Sequence, residues 1–381
     1  MTRVLFWCDA FWPNIGGVEV LGARLVTALR ERGHELMVVT RRDELALAAE
    51  SSFEGVPVRR FEFLQVAGSR DAFRWLELRR KIAALKSEFA PDVVHVYHAA
   101  FDAILHLETR DAHRAAELCT IHGAIPDHVL LPGSMLRRLL TESDWVAACS
   151  ASALDRVRHQ VPEIEAHSSV ILNGLESTTY PPTPPPLEVP RLLCVGRLAT
   201  DEKGFDLAII GLARLARRYP RLRLTIAGDG EERARLAHLA EELGVADRVD
   251  FLGWVNPAVI PAVIAQSTLV LMPSRGEEGF GLAVLQAGQL ERPVIAARVG
   301  GLPEVVADGE TGLLVEPEDS GALARAIALL LDDPPRALAM GKAARRRALN
   351  AFSWEQHVDA YDRLIHTLVA RRGARAGSAR A

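Results

Sequence analysis

The chain has 381 residues, of which 49% are apolar and 25% are charged, which is enough for two ordinary globular domains. Its 45 Lys and Arg against 49 Asp and Glu give a formal net charge of -4, and the lack of a basic field argues against a nucleic-acid partner. The four cysteines lie far apart without metal-type spacing and no run of about 18 apolar residues occurs, so we expect reduced, packed thiols and a cytoplasmic location.

The first half of the chain alternates short apolar runs with amphipathic stretches, beginning with RVLFWC, VEVLGARLVTALRERG and HELMVVT. Continuous apolar strands separated by helices are typical of a parallel sheet that is covered on both faces. The helix predicted over 18–32 ends at Gly33, after two arginines that suit a helix C-terminus. We therefore predict an α/β, doubly wound, Rossmann-like domain over 1–178.

The segment TYPPTPPPLEVP at 179–190 interrupts this alternation. Because its prolines lock φ and remove backbone donors, it is predicted to be a linker. Apolar runs and helical stretches then resume, which predicts a second doubly wound domain over 191–352. One long helix is expected at about 353–371, followed by a disordered tail over 372–381.

Two such domains joined by a linker predict a central cleft at the carboxyl ends of both sheets, where open α/β sheets bind ligands. The Gly16-Gly17 pair follows the first strand and would let backbone approach a ligand closely, although a purely structural turn is the alternative. The second strand ends in VVTRR without an acidic residue, which counts against a dinucleotide oxidoreductase.

The loop GRLATDEKGFD at 196–206 follows the first strand of the second domain. Arg197 and Lys203 flank this polar loop, which leads into a helix. Two cations near a helix start suit a diphosphate and could stabilise it without a metal. A solvated loop with ordinary surface charges is the alternative interpretation.

A later segment, PSRGEEGFGLAVLQAG, combines a strand end, a Glu-Gly-Phe-Gly turn and a helix. Glu278 lies before the helix and Gln286 within it. The first amides of a helix lack intrahelical partners and carry positive potential, so this helix start is a candidate anion site. The segment is interpreted as the floor of a sugar-nucleotide pocket.

These stretches, together with FWPNIGGVE, TIHG, ILNGLE, IAGDGEER, GGLPEVV and DGETGLLV, occur in the order found in a known family. The chain resembles glycosyltransferase family 4, the retaining glycosyltransferases of the GT-B fold. The resemblance implies an acceptor bound mainly by the first domain and a donor bound mainly by the second. It also implies that the C-terminal helix returns to the first domain, and that a nucleoside diphosphate sugar, with a UDP-sugar favoured, reacts with an acceptor hydroxyl without metal or cofactor.

The resemblance also assigns roles to individual residues. Arg197 and Lys203 would contact the donor diphosphate, Gly17 would approach it through its backbone, and Glu278 would lie beside the transferred sugar. His122 in TIHG matches a position near the sugar, although a packed strand-end histidine explains it about equally well.

Further positions match the donor side of the family pattern. The backbone amides of one turn would face sugar and phosphate; its residues are Gly279, Phe280, Gly281 and Leu282. Glu304 in GGLPEVV also matches, although a capping role explains it nearly as well.

One departure from the family pattern concerns the nucleotide ribose. Gln286 stands where the family has a second Glu that accepts hydrogen bonds from the ribose. A neutral acceptor forms a weaker hydrogen bond than a charged one by roughly 1 kcal/mol, so we expect donor affinity to be about five- to tenfold lower but not lost.

Two alternative functions remain open at this point. A non-hydrolysing sugar-nucleotide 2-epimerase would share the two-domain architecture and would need no acceptor. A catalytically weakened sugar-nucleotide-binding protein is suggested by Gln286 alone. Oligomeric state is not predicted by these residues.

The stretch FRWLELRRKIAALKSEF at 73–89 is amphipathic and has a basic face. Helices of this type can lie on anionic lipid, which would give a weak peripheral contact at the inner membrane surface. A helix that packs on the sheet with a solvated basic face is the favoured interpretation.

Overall fold

The structure is a computed structural model and describes residues 1–14, 16–42, 47–98, 100, 102–123, 125–276 and 278–378. The chain forms two compact units. One comprises Met1–Leu172 and His357–Ala381, and the other comprises Asn173–Gln356. The first break therefore precedes residue 178, where the sequence had placed the end of the first domain. Each unit is an α/β layer structure around a parallel sheet, which confirms the predicted fold class.

The first unit contains a sheet of eight strands among its described residues. The strands are β1 (Arg3–Cys8), β2 (Glu35–Arg41), β3 (Glu50–Phe53), β4 (Val56–Phe61), β5 (Val93–His98), β6 (Ala116–Ile121), β7 (Trp145–Ala148) and β8 (Ser168–Val170). Their order is β3-β4-β2-β1-β5-β6-β7-β8. Every neighbouring pair is parallel except β3 and β4, which form an antiparallel hairpin at one edge that was not predicted.

Helices cover this sheet. They are α1 (Gly17–Glu31), α2 (Phe63–Ser69), α3 (Ala72–Phe89), α4 (Ala103–Glu108), α5 (Met135–Glu142) and α6 (Ala151–Gln160). Side-chain caps fix several starts, because Asp71, Ser134 and Ser150 accept hydrogen bonds from first-turn amides. The amphipathic pattern of α3 packs Leu78 and Ile82 into the core, as the favoured interpretation of this stretch expects.

A buried polar pair lies beneath α3. Lys86 is fully buried, and its Nζ donates to the carbonyl oxygen of His106 at 3.0 Å and contacts the imidazole Nδ1 at 3.0 Å. Burial lowers the pKa of Lys86 to about 7, an effect that the nearby Glu117 carboxylate only partly offsets. The ammonium charge is therefore held in the core at a cost in stability.

The second unit contains a six-stranded sheet that is parallel throughout. Its strands are β9 (Arg191–Val195), β10 (Arg223–Ala227), β11 (Val249–Gly253), β12 (Leu269–Met272), β13 (Val294–Ala297) and β14 (Gly312–Val315). They lie in the order β11-β10-β9-β12-β13-β14. The central strands β9, β12 and β13 are buried on both faces, which explains why each is a short and nearly continuous apolar run.

The helices of the second unit follow the predicted alternation. They are α7 (Phe205–Leu215), α8 (Arg233–Glu242), α9 (Ile260–Ala265), α10 (Leu282–Gln289), α11 (Leu302–Val305), α12 (Ser320–Asp332) and α13 (Pro334–Ala351). The long helix α13, capped by Asp333, was not predicted. The proline-rich segment 179–190 contains neither helix nor strand.

The last helix, α14 (Trp354–Ser378), begins next to the predicted position and belongs to the first unit from His357 onward. The prediction of a disordered tail from residue 372 is wrong as far as Ser378, because helix α14 continues to that residue. Alanine and arginine are strong helix formers, and here they outweigh two glycines. The four cysteines are buried, as expected.

Candidate functional site

The predicted donor residues follow three neighbouring strands of the second sheet. Strands β9, β12 and β13 lie side by side and parallel, so their carboxyl ends meet at one edge. The loop with Arg197 and Lys203 follows β9, the loop with Glu278 follows β12, and the segment GGLPE follows β13. Residues far apart in the sequence are thereby brought to the edge where open α/β sheets bind ligands.

Gly204 allows the β9 and β12 loops to touch. It adopts φ +64 at the start of α7, and a Cβ there would lie 2.0 Å from the carbonyl oxygen of Pro273. A left-handed conformation and a backbone contact both favour glycine at this position. Close packing of the two loops that follow β9 and β12 therefore explains the glycine at the end of the GRLATDEKG motif.

Arg275 and Asp206 join the same two loops. The Arg275 guanidinium donates to both carboxylate oxygens of Asp206, at 2.7 and 2.6 Å, and to the carbonyl oxygen of Asp201 at 3.0 Å. Burial alone would raise the pKa of Asp206, but the paired guanidinium holds it below its usual value. This bidentate pair fixes the loop geometry on which the neighbouring site residues depend.

The Lys203 ammonium and the Glu278 carboxylate form an ion pair at this edge. Nζ of Lys203 donates to Oε1 of Glu278, and Oγ of Ser274 donates to the same oxygen at 2.9 Å. The Glu278 side chain is 12% exposed and that of Lys203 is 31% exposed. Among the described residues, Oε2 of Glu278 accepts no hydrogen bond, so one carboxylate oxygen is held while the other can meet a ligand.

The backbone of Glu278 is held by the glycine pair after β13. Gly301 donates its N–H to the Glu278 carbonyl at 2.8 Å. Gly300 adopts φ +52, and a Cβ there would lie 2.2 Å from the same carbonyl oxygen. Glu304 lies in the first turn of α11, half-buried, and its carbonyl accepts a hydrogen bond from Arg347 at 2.7 Å. The GGLPE segment therefore supports the Glu278 loop through its backbone.

The turn before α10 presents backbone rather than side chains. Gly281 adopts φ +98 at the helix start, and a Cβ there would press on Leu302. Phe280 is buried, and its ring packs edge-on against Phe352 at 5.5 Å. In the first turn of α10, the Val284 amide donates to the Gly281 carbonyl at 2.9 Å, whereas the amides of Leu282 and Ala283 have no acceptor among the described residues.

Two predicted donor contacts form no hydrogen bond or ion pair with Lys203 or Glu278 among the described residues. Arg197 is exposed directly after β9 and forms no ion pair with the described part of the chain. Gln286 is half-buried on α10, and no hydrogen bond joins its side chain to another described residue. Both side chains are therefore available to a ligand.

In the first unit, His122 directly follows β6 at the carboxyl edge of the sheet. Its imidazole packs against the Tyr97 ring at 4.3 Å between centroids, and both ring nitrogens are buried without a hydrogen-bond partner in the described ranges. Burial is the main cause that lowers the pKa of His122 well below its usual value, and His98 adds to the effect. The ring is neutral and retains an unused donor and an unused acceptor.

His122 borders a cavity of about 500 Å³. The cavity wall is mostly apolar, and its side chains include Val18, Ile121, Ile125, Met135, Leu136 and Leu140. Gly17 precedes the cavity residue Val18 in the sequence. It is the exposed first residue of α1 and follows Gly16, which has an extended backbone conformation. The first unit therefore offers an apolar cavity with a polar histidine at the carboxyl edge of its sheet.

Three of the basic residues on α3 form ion pairs with acidic residues. Arg74 contacts Glu62, Arg79 contacts Glu108, and Lys81 contacts Glu77. In the described ranges, no helix has the length and apolar character needed to span a bilayer.

Sequence reasoning missed Ser274 and the Arg275–Asp206 pair. Asp206 lies in the segment GRLATDEKGFD and Arg275 lies in the segment PSRGEEGFGLAVLQAG, both of which follow strands. Their opposite charges could have indicated an ion pair between the two segments. Ser274 gave no signal, because a serine after a strand is ordinary turn composition.

Two family models match the chain: "Glycosyltransferase Family 4" over residues 15–178 and "Glycosyl transferases group 1" over residues 180–347. The chain is 31% identical to a glycogen synthase of Mycobacterium tuberculosis, covering 95% of this chain and 93% of that protein. It is 30% identical to the GDP-mannose-dependent alpha-(1-6)-phosphatidylinositol monomannoside mannosyltransferase of the same species, covering 93% and 96%.

Solved structures match over nearly the whole chain. Sucrose-phosphate synthase from Thermosynechococcus elongatus gives a TM-score of 0.83 at 22% identity, covering 97% of this chain and 100% of that chain. Anabaena HepE in complex with UDP-glucose gives 0.77 at 21% identity, covering 97% and 100%. These likenesses support the fold, and the sequence relatives support the family. The chain belongs to the group 1 glycosyltransferases of the family 4 type.

Proposed function

We propose that this glycosyltransferase moves a sugar from a nucleoside diphosphate sugar to an acceptor hydroxyl with retained anomeric configuration and without a metal. The observation that carries the proposal is the Lys203–Glu278 ion pair beside the α10 helix start. It places a cation, a carboxylate and free amides at one sheet edge, the set of groups that a donor sugar and its diphosphate require.

The departing diphosphate would be stabilised by Arg197, Lys203 and the first amides of α10. Transfer develops negative charge on the leaving phosphate, and fixed cations and backbone dipoles stabilise such charge without reorganising. Arg197 has no competing ion pair in the described residues, so its charge is available to a phosphate. This arrangement would stabilise the leaving group with side chains and backbone amides of the protein and without a metal.

Glu278 would position the transferred sugar. Lys203 and Ser274 hold Oε1, which leaves Oε2 to accept a hydrogen bond from a sugar hydroxyl. Lys203 therefore has two roles in this proposal: it orients Glu278 and adds positive charge beside the phosphate. Gly17 and Glu304 are proposed as backbone and supporting contacts, respectively, rather than as reacting groups.

The donor is proposed to be a UDP-sugar, with GDP-mannose as the competing candidate. One structural relative was solved with UDP-glucose, and one sequence relative is described as GDP-mannose-dependent. Gln286 would accept hydrogen bonds from the ribose of either nucleotide. Testing both nucleotides is therefore required.

The acceptor is proposed to carry an apolar group next to its hydroxyl. The cavity beside His122 is within the size range of ligand sites and is mostly apolar, so it suits an alkyl or acyl chain better than a bare sugar. His122 is neutral and could hydrogen-bond a hydroxyl at the cavity mouth. The name of one relative includes a phosphatidylinositol acceptor, which is compatible with this class.

Epimerisation and loss of catalysis are less well supported. The matched families and relatives are glycosyltransferases, which does not favour a 2-epimerase. Lys203 and Glu278 are both present and in contact, so the Gln286 substitution alone does not argue for an inactive binding protein.

The reaction can be tested with UDP-glucose, UDP-N-acetylglucosamine and GDP-mannose, each with octyl glucoside as acceptor and EDTA present. The proposal expects acceptor-dependent release of nucleoside diphosphate and a product with the anomeric configuration of the donor, read by NMR. Inverted product, or activity abolished by EDTA, would contradict retention or metal independence. An epimer formed without acceptor would support the alternative enzyme.

The acceptor class can be tested with a series of n-alkyl glucosides. Each methylene that enters the cavity contributes up to ~0.8 kcal/mol, so KM should fall by up to about fourfold per added methylene until the cavity is filled. Leu136→Arg should remove this dependence, whereas Leu329→Arg, on an exposed face of the second unit, should retain it. A KM that does not change with chain length in wild type would refute an apolar acceptor.

A further inference from the structure

A cluster of three metal-type side chains lies where α14 packs against the turn between α1 and β2. His34, in that turn, is buried, and its Nε2 lies 2.7 Å from Oδ1 of Asp362. Nδ1 of His366, one helical turn further along α14, lies 3.2 Å from the same oxygen and 2.9 Å from the backbone carbonyl oxygen of Asp362. The three ligand atoms all lie within 4.8 Å of one another.

The spacing of this cluster suits a small divalent metal ion. Zinc binds imidazole nitrogen and carboxylate oxygen at about 2.0–2.2 Å, which separates two ligands of a tetrahedral site by roughly 3.5 Å. The present separations of 2.7 and 3.2 Å are slightly shorter than this value. Asp362 and His366 are 26% and 61% exposed, so an ion can enter from solvent and keep water as its fourth ligand.

We propose that His34, Asp362 and His366 bind Zn²⁺, or a similar divalent transition metal such as Ni²⁺, and thereby fix α14 to the first unit. Two imidazoles and one carboxylate are a donor set that these ions prefer over Mg²⁺ or Ca²⁺. The nearby Arg32 charge is paired with Asp359 at 2.5 Å, so it is compensated rather than left to repel a cation.

The site would be structural and separate from the transfer reaction. His34 immediately precedes β2 and therefore lies at the amino edge of the first sheet, whereas His122 follows β6 at the carboxyl edge. A metal bound here would tie helix α14 to the α1–β2 turn without reaching the apolar cavity.

The alternative role of these three residues is a set of hydrogen bonds that holds α14 without a metal, here called a hydrogen-bonded clasp. Affinity for zinc distinguishes the two roles. Nδ1 of His34 is buried and has no hydrogen-bond partner in the described residues. The outer hydrogen bond that supports most metal-binding histidines is therefore absent, and we expect affinity about 10- to 100-fold below that of a fully supported site.

The test is calorimetric titration of ZnCl₂ into protein that has been stripped with EDTA and dialysed. The proposal expects one ion per chain, a higher unfolding temperature with zinc, and a visible absorption band when Co²⁺ replaces zinc. His366→Ala and Asp362→Asn should each weaken zinc binding at least tenfold. His366 is largely exposed, so its replacement is compatible with a folded chain.

His238→Ala is the matched control. His238 is an exposed helical histidine beside Glu241 and Glu242, so it tests whether any surface histidine with carboxylates would suffice. It should leave the zinc isotherm unchanged. The proposal is overturned if wild type shows no saturable binding, or if neither His366→Ala nor Asp362→Asn alters the isotherm. It is also overturned if the variants lower the unfolding temperature equally with and without zinc, because that result identifies a hydrogen-bonded clasp.

Discussion

The replacement Lys203→Ala tests the ion pair at the centre of the proposed site. It removes a half-buried ammonium and leaves Glu278 with Ser274 as its only described side-chain donor. Exposed ion pairs contribute about 0.2–1 kcal/mol and breaking buried ones costs about 3–5 kcal/mol, so this pair should contribute about 1–3 kcal/mol to stability. A loss of that size lowers the unfolding temperature by about 2–4 °C for each kcal/mol in a domain of this size.

The effect on turnover should be larger than the effect on stability. Removing one preorganised donor from a charge-stabilising site typically costs about 2.7–4 kcal/mol of transition-state stabilisation, which corresponds to a 10²- to 10³-fold loss in kcat. The Glu278 carboxylate would also lose its orientation, so Lys203→Ala and Glu278→Ala should be strongly non-additive in a double-mutant cycle.

The assay measures release of nucleoside diphosphate in the presence of acceptor, well below the unfolding temperature of each variant. Lys342→Ala is the matched control, because Lys342 is an exposed lysine of the same unit on α13. Its turnover should equal that of wild type. If Lys203→Ala retains turnover within about threefold of wild type, Lys203 does not act in the site and the reasoning is refuted.

Three further predictions concern the ribose contact, the loop packing and a buried charge. Gln286→Glu should tighten donor binding about five- to tenfold by calorimetry; unchanged affinity would remove this residue from the ribose. Gly204→Ala should weaken donor binding and should destabilise the protein more than Gly244→Ala does. Both glycines have a positive φ, but only at Gly204 would a Cβ contact the backbone of another segment. Equal losses of stability in the two variants would contradict the packing argument. The pKa of Lys86 is lower in the folded chain than in the unfolded chain, so the unfolded chain binds more protons and the free energy of unfolding should rise from about pH 7 toward pH 10.5. Lys86→Met should lack this rise in chemical denaturation. Identical pH profiles of wild type and Lys86→Met would contradict the prediction.

The overall architecture could be predicted because buried parallel strands leave a direct trace in the sequence. Each of β9, β12 and β13 is a short apolar run followed by a glycine- or charge-containing loop. The helix predicted over 18–32 spans Gly17–Glu31, whereas the last helix, predicted to end near residue 371, continues to Ser378. The antiparallel β3–β4 hairpin was missed because ESSF and VPVRRF lack the continuous apolar character of the other strands.

The residues of the proposed donor site were selected from the sequence, but the contacts among them could not be predicted. The pairing of Lys203 with Glu278 depends on how the β9 and β12 loops fold over each other, and that depends on Gly204 and Gly300 packing against backbone. Such close approaches are tertiary and leave only a glycine in the sequence. The packing of the Phe280 ring against Phe352 was not predicted either, because it is also a tertiary contact.

The most direct test of the central claim is calorimetric titration of a nucleoside diphosphate sugar into wild type, Arg197→Ala and Glu278→Ala, with EDTA present and no acceptor. The account predicts saturable binding by wild type, weaker binding of both sugar nucleotide and free diphosphate by Arg197→Ala, and selective loss of the sugar contribution in Glu278→Ala. Binding by all three proteins with the same affinity, or no binding of UDP-glucose or GDP-mannose by wild type, would contradict a donor held at the β9, β12 and β13 edge.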